Sequence, residues 1–311
     1  MFWGYFFMNP KRLITILGPT SSGKSNMAIE LANLLKSSAI VNCDSRQIYK
    51  DLNLGTGKVQ GSWQKHCNQN LFIFQNQPHY LIDYIDPNQP YSLTKYLNDF
   101  YTLTQSLSAQ NIILVGGTGL YADAIINNYQ IPNLTIEQQK EFQSIKTNLN
   151  QLSLQELQKI FQKRTKLKLN DSDFKNPRRL VNHILQSDPK FTKVQVIPIP
   201  QFSSKQVFAI DILKEELHLR INKRLNQRLY EGLISEVKTL NLASSRLQEL
   251  GLEYKLIDDY LHQKISPKNL LSQMLTKNFQ YAKKQITWLN KRDLVWIKNT
   301  QDILDNLSSF D

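Results

Sequence analysis

The residues best equipped for chemistry are Gly18-Pro19-Thr20-Ser21-Ser22-Gly23-Lys24-Ser25 and, after the next apolar run, Asp44. The octapeptide has the composition and spacing of a phosphate-binding loop. Its glycines let backbone N–H groups curl around phosphate oxygens, Lys24 reaches the terminal phosphate, and the Ser25 hydroxyl reaches Mg²⁺ or a phosphate oxygen. The flanks agree. Leu13 to Leu17 is a short apolar run suited to a buried parallel strand, and Met27 to Leu35 continues as a helix whose N-terminus points at the anion. A diphosphate or triphosphate is the expected ligand.

Such a loop serves phosphoryl transfer, nucleotide hydrolysis, or the binding of a non-nucleotide diphosphate. Nucleotide users place an Mg²⁺-holding aspartate at the end of a neighbouring strand. Here the best such strand, Ile112 to Val115, runs into Gly116-Gly117-Thr118-Gly119 with no acid, which counts against a hydrolysing ATPase. A kinase stays open, because Asp44 and Asp211 also follow β-like runs. Asp44 closes the run Ile40-Val41-Asn42-Cys43 and precedes Ser45-Arg46-Gln47-Ile48-Tyr49. A carboxylate at that strand end can orient Mg²⁺, hold a sugar hydroxyl, accept a proton from a nucleophile, or simply cap a turn.

The elements that must position these groups alternate strand and helix over the first ~125 residues: Leu13 to Leu17, helix, Ala39 to Cys43, Tyr80 to Ile82, a helix capped by Ser92, and Ile112 to Val115. This predicts an α/β fold, a P-loop core with a parallel sheet flanked by helices. From Pro132 the chain changes to short helices rich in Gln, Lys and Leu, with capping-box patterns at Thr135 and Ser153. A strand is expected at Val194 to Ile199. Val207 to Ile212 then reads as a returning sheet strand, followed by one long helix from Lys214 to Leu240, more helices to Trp288, and a last strand at Leu294 to Ile297. The expected organisation is a catalytic core over 9–130 and 200–311, with a mainly helical insertion sub-domain over 131–199.

The chain of 311 residues is long enough to bury a real core, and its formal charge of +12 favours a polyanionic partner. The basic residues cluster at Lys163 to Lys168, Lys175 to Arg179, Arg220 to Arg228 and Lys283 to Arg292, which shifts that partner towards nucleic acid. Cys43 and Cys67 have neither metal-ligand nor disulfide-framework spacing, and a reducing cytoplasm fits. No stretch approaches the ~20 apolar residues of a membrane span. Residues 1–8, MFWGYFFM, read as a disordered appendage upstream of a start at Met8.

Several blocks, in order, resemble the tRNA dimethylallyltransferases (tRNA isopentenyltransferases). They are GPTSSGKS, CDSRQIYKDLNLGTGK (Cys43 to Lys58), PHYLIDYIDPNQPYS (Pro78 to Ser92), ILVGGTGLY (Ile113 to Tyr121) and AKKQITWL (Ala282 to Leu289). The resemblance implies transfer of a dimethylallyl group from dimethylallyl diphosphate to N6 of the adenosine just 3′ of the anticodon. It implies a diphosphate held by Gly18 to Ser25, Mg²⁺ shared with Ser25, and Arg224 clamping the leaving group, with Arg220 one helical turn before it. Asp44 would accept or orient the N6 proton. It further implies contact of the flipped adenosine and its tRNA with Asp44, Ser45, Arg46, Gln47 and Thr118, with Arg178, Arg179 and Asn182 of the insertion, and with Lys283 and Lys284. Gly116 and Gly117 would let backbone approach the nucleic acid, and Trp288 would serve either stacking or the core. A monomer is expected.

The chain departs from the family pattern at Asn182 and His183, at Leu250-Gly251-Leu252-Glu253-Tyr254-Lys255, and at Asn278 and Phe279. These changes bear on tRNA docking, where Lys175 or Lys190 would compensate for the arginine replaced by Asn182. The alternatives are an isopentenyltransferase acting on free AMP, ADP or ATP, a nucleic-acid-binding P-loop protein with decayed chemistry, and a small-molecule kinase.

Overall fold

The computed structural model describes residues 11–308 except 67, 68, 131, 133 and 193–197. The expected extension at 1–8, the second cysteine at 67 and most of the strand expected at 194–199 lie outside the described residues. The chain divides into two compact units, Met1–Asn128 with Pro200–Asp311, and Tyr129–Ile199.

In chain order the elements are β1 (Lys11–Leu17), α1 (Lys24–Leu34), β2 (Ser38–Asn42), β3 (Ser62–His66), β4 (Gln69–Phe74), β5 (Gln77–Tyr80), α2 (Leu93–Ser106), β6 (Asn111–Gly116) and α3 (Gly119–Ile126). The second unit holds α4 (Ile136–Asn150), α5 (Leu154–Arg164), α6 (Asp171–Phe174), α7 (Pro177–Gln186) and α8 (Pro189–Thr192). The first unit resumes with β7 (Phe202–Ile210), α9 (Lys214–Tyr230), α10 (Leu233–Thr239), α11 (Ser244–Leu250), α12 (Leu252–Leu261), α13 (Pro267–Leu289), β8 (Val295–Ile297) and α14 (Thr300–Ser308).

One sheet runs β3-β4-β5-β2-β6-β1-β7-β8. From β5 to β8 all neighbours are parallel, and their central strands are continuous apolar runs because helices cover both faces. The register sets Asn42 beside Val115, and Gly116 beside Leu17, which in turn faces Ala209. The loops after β1, β2, β6 and β7 therefore leave from one edge of the sheet, where open α/β sheets hold ligands.

The structure extends the expected parallel sheet by an antiparallel hairpin, β3 and β4, paired onto β5. Gln64, Lys65, Gln69 and Asn70 are exposed there, so no apolar alternation marks these strands in the sequence. The β4–β5 turn uses Gln75 and Asn76 at φ 48 and 61, a left-handed pair usually signalled by Asn-Gly. The single helix expected over 214–240 is two, because Gly232 takes φ 103 and redirects the chain between α9 and α10. Ser92 caps α2 as expected, accepting from the Lys95 N–H at 3.2 Å. At the point where the first unit pauses, Lys205 Nζ donates to the carbonyls of Ile125 (3.4 Å) and Ile126 (3.3 Å) at the end of α3, and to Asn128 Oδ1 (2.5 Å).

The second unit has its own core of Leu149, Leu157, Phe161, Leu180, Val181, Ile184, Leu185 and Phe191. Both capping boxes form, at Thr135 with Gln138 and at Ser153 with Glu156. Arg178, Arg179 and Asn182 are exposed, Arg178 and Asn182 one turn apart on α7. Arg179 pairs with Asp173 at 2.7 Å, Lys175 with Asp171 at 2.7 Å and Lys190 with Glu141 at 2.5 Å. The two lysines expected to replace an arginine at 182 are thus each engaged by an acid of their own unit.

Candidate active site

A cavity of about 850 Å³ opens at the sheet edge, and residues of the first unit line it. It gathers Thr20, Ser21, Gly23, Lys24 and Ser25 from the loop after β1, Asp44 to Gln47 after β2, Gly116 to Thr118 after β6, and Arg220, Lys223, Arg224 and Arg228 from α9. Gly18, Pro19 and Ser22 shape the loop without lining the cavity. The Pro19 carbonyl accepts from Lys24 Nζ at 2.7 Å, and the Ser22 carbonyl accepts from the Arg220 guanidinium at 3.1 Å.

Helix α1 begins at Gly23, φ 100, with no side-chain cap, so the N–H groups of its first turn are left for an anion. Burial lowers the pKa of Lys24 from 10.5 to about 8, opposed by the Asp44 carboxylate and reinforced by Arg224. Removal from water weakens an isolated cation, and a bound diphosphate restores its charge. Arg224 is pushed down to about 10 by burial and by the like charge of Arg228. Its guanidinium donates to the Gly57 carbonyl at 2.7 Å, and Arg228 stands 3.6 Å from Glu253. Three arginines at helical spacing thus face one cavity whose acids, Asp44 and Glu253, are fewer.

Asp44 is half-buried and held by its backbone. Its N–H donates to Asn42 Oδ1 at 3.2 Å, and its carbonyl accepts from Asn42 Nδ2 at 3.1 Å; Nδ2 also donates to the Leu81 carbonyl at 2.9 Å. Asp44 Oδ1 accepts from the Arg46 N–H at 2.9 Å, which is the turn-capping geometry, and this leaves Oδ2 free for other partners. The turn therefore occupies one oxygen of the carboxylate and not the other. Thr118 Oγ1 accepts from the Ser45 N–H at 3.0 Å, tying the loop after β6 to the loop after β2.

Gly116 has a different reason from the one expected. A Cβ there would lie 2.2 Å from the Cys43 carbonyl oxygen, so glycine is required for β6 to pass the backbone leading to Asp44, irrespective of any nucleic acid. Lys283 and Lys284 are exposed and do not line the cavity. Trp288 packs on Gly119 and stacks under the Arg292 guanidinium at 3.4 Å, and Arg292 pairs with Asp123. The indole is committed to holding α13 against α3.

No role for Gln285 follows from the sequence alone. It lies on the buried face of α13, with Oε1 accepting from the Thr20 N–H at 2.8 Å and Nε2 donating to the Gly117 carbonyl at 3.0 Å. It joins the phosphate loop to the β6 loop and occupies one cradle amide. Its signal was a polar residue at buried helical spacing, Asn278-Ala282-Gln285-Leu289, hidden by the more conspicuous lysines. Tyr281, one turn earlier, lines the cavity, and partial removal of its hydroxyl from water together with the Asp44 charge raises its pKa.

Fold and cavity define a P-loop α/β protein that sets a condensed-phosphate cradle and an arginine row beside an aspartate. The pattern described as IPP transferase matches residues 47–292, and that described as isopentenyl transferase matches residues 11–75. The chain belongs to the IPP transferase family. It is 34% identical to tRNA dimethylallyltransferase 1 of Azobacteroides pseudotrichonymphae, covering 89% of this chain and 88% of that one. It is 31% identical to tRNA dimethylallyltransferase 1 of Syntrophus aciditrophicus, covering 93% and 94%. The crystal structure of the full-length tRNA isopentenylpyrophosphate transferase from Bacillus halodurans superposes with a TM-score of 0.64 at 24% identity, over 96% of this chain and 95% of that one. Among the described residues no helix is long and apolar enough to cross a membrane.

Proposed function

We propose that the chain transfers a dimethylallyl group from dimethylallyl diphosphate to N6 of the adenosine 3′-adjacent to the anticodon in tRNA. The observation that carries this reading is the single cavity that joins the phosphate loop, Asp44 and Arg224. The diphosphate lies on the first turn of α1, contacted by Lys24 and Arg224. The N6 lone pair attacks C1 of the allyl group, the C1–O bond breaks, its electrons leave with diphosphate, and the N6 proton passes to the free oxygen of Asp44. An adenine amine is a weak nucleophile, so removing that proton and stabilising the departing charge are the two tasks of the site. The adenosine must leave its stack to enter, and Thr118, Ser45 to Gln47 and Tyr281 stand where it would arrive.

Members of such a family use a divalent cation, and Mg²⁺ fits this donor set. Among the described residues no group of three His, Cys, Asp or Glu could hold a metal alone, which suits an ion bound mainly through substrate phosphates and water. Ser25 would be its protein ligand, and the ion would supply charge neutralisation on the leaving diphosphate. A monomer acting on tRNA in the cytoplasm completes the reading.

Purified protein incubated with labelled dimethylallyl diphosphate should label tRNA and leave AMP unlabelled; label on AMP alone selects the adenylate reading. Asp44→Asn should lower kcat by ~10²–10⁴ while tRNA affinity stays within twofold. Equal losses of binding and rate would make Asp44 a positioning group.

A further inference from the structure

Resting on that reading, we propose that Glu236 is a positioning residue for diphosphate departure. Its carboxylate fixes the loop Asn53–Gly57, and the Gly57 carbonyl in turn holds the Arg224 guanidinium at the leaving group.

Glu236 lies on α10 and does not line the cavity. Its Oε2 accepts from the N–H groups of Asn53 (3.1 Å) and Leu54 (2.6 Å), and its Oε1 accepts from the Gly55 N–H (3.0 Å) and the Tyr254 hydroxyl (2.7 Å). Four donors converge on one group that has only lone pairs to offer. This is the arrangement that an ionised carboxylate satisfies and an amide does not, because an amide would turn N–H groups towards N–H groups.

The loop so held is pressed against its neighbours. A Cβ on Gly55 would lie 2.3 Å from the Tyr254 ring, and one on Gly57 would lie 1.8 Å from Arg228 and 2.2 Å from Arg224. Gly57 also takes φ 61, and its carbonyl is the acceptor for Arg224. Thr56 Oγ1 closes the loop on the Leu52 carbonyl at 2.6 Å. At the far end Lys58, buried, donates to the Tyr49 carbonyl at 2.6 Å and pairs with Asp83. Lys58 therefore anchors one end and Glu236 the other.

The helix break at Gly232 gives this arrangement its logic. Arg224 sits on α9 before the break and Glu236 on α10 after it, so the redirected chain brings the guanidinium and the carboxylate to the same short loop from two sides. A shift of that loop would move the Gly57 carbonyl and release the arginine to other rotamers. Misplacing a charge that must meet a departing diphosphate costs binding of the diphosphate itself, not of the nucleic acid.

The test is a double-mutant cycle on the full chain, with inorganic pyrophosphate binding by calorimetry and steady-state KM values for both substrates. Glu236→Gln should weaken pyrophosphate and raise the KM for dimethylallyl diphosphate about 10- to 100-fold, with the KM for tRNA within twofold. In an Arg224→Ala background the same substitution should add less than twofold, since the residue it acts through is gone. Equal losses in both backgrounds, or unchanged pyrophosphate affinity, would overturn the proposal. Tyr254→Phe, which removes one of the four donors and keeps the ring, covers the case in which Glu236→Gln fails to fold. It should weaken pyrophosphate by about three- to tenfold only when Arg224 is present, and no effect would count against the proposal. Wild-type protein that neither binds pyrophosphate nor prenylates tRNA would instead overturn the functional reading itself.

Discussion

Replacing Gln285 by alanine gives the sharpest test of how the cradle is built. The side chain is 9% exposed and makes two hydrogen bonds, at 2.8 Å to the Thr20 N–H and 3.0 Å to the Gly117 carbonyl. Alanine leaves both backbone groups without their partner, at about 1–3 kcal/mol each when water cannot reach them. Both groups border an open cavity, so water recovers part of this, and about 2–3 kcal/mol is the expected total. Expressed in stability, that is a fall in Tm of roughly 4–12 °C for a core of this size. Expressed in geometry, it separates the phosphate loop from the β6 loop, and kcat/KM for dimethylallyl diphosphate should fall about 30- to 150-fold. Steady-state prenylation of an anticodon stem–loop, with thermal melts in the presence and absence of pyrophosphate, measures both quantities. Gln285→Glu should preserve the Thr20 bond, lose the Gly117 bond and set a negative charge near the diphosphate, so it should bind pyrophosphate more weakly than Gln285→Ala. A Gln285→Ala enzyme with unchanged Tm and kcat/KM within twofold of wild type would refute the bridge as a functional element.

The pKa of Lys24, about 8 in the free protein against 10.5 ordinarily, fixes a pH dependence. The cation binds diphosphate and the neutral amine does not, so the KM for the donor should rise as pH climbs through about 8, by up to tenfold per unit; a flat profile from pH 7 to 10 would exclude Lys24 as the phosphate contact. Asn42→Ala should remove the three bonds that fix the Asp44 backbone and the Leu81 carbonyl, lowering kcat about 10- to 100-fold with donor KM nearly constant. A change confined to KM would place Asn42 elsewhere in the cycle. Gly116→Ala places a methyl 2.2 Å from the Cys43 carbonyl oxygen, and soluble yield or Tm should collapse; wild-type stability there would show that β6 and β2 can separate freely.

The parallel core strands were legible because buried parallel strands are continuous apolar runs, and the phosphate loop because its glycines and lysine have fixed spacing; the order of the strands comes only from the structure. Asp44 was legible as a polar residue at a strand end. The β3–β4 pair and its join to β5 were not, since Trp63 and the exposed glutamines break the usual alternation and the β4–β5 turn at Gln75-Asn76 carries no usual turn signal. Gly232 carries no break signal in the sequence, because the apolar spacing continues across it, with Leu233 and Val237 buried on the far side. Gln285, Glu236 and Asn42 share one reason for escaping notice. Each acts on backbone amides and carbonyls, which for Gln285 and Glu236 are more than 160 positions away and for Asn42 include Leu81, and a sequence shows side-chain chemistry but not which main-chain groups need a partner. Charge makes Lys283 and Lys284 conspicuous, whereas the neutral Gln285 beside them joins the phosphate loop to the β6 loop.

The phosphate loop is made before β6 and β7, yet its strand β1 sits between them, and one of its amides is satisfied by a residue 265 positions later. At ordinary rates of synthesis that interval is roughly 13–50 seconds. Until β7 is made, within that interval, the nascent chain carries an apolar strand with at least one flank unclaimed. Ribosome-bound intermediates of this protein should therefore be clients of holding chaperones until the segment beyond residue 200 emerges, and inserting slow codons before β7 should lower the yield of soluble enzyme more than inserting them after it.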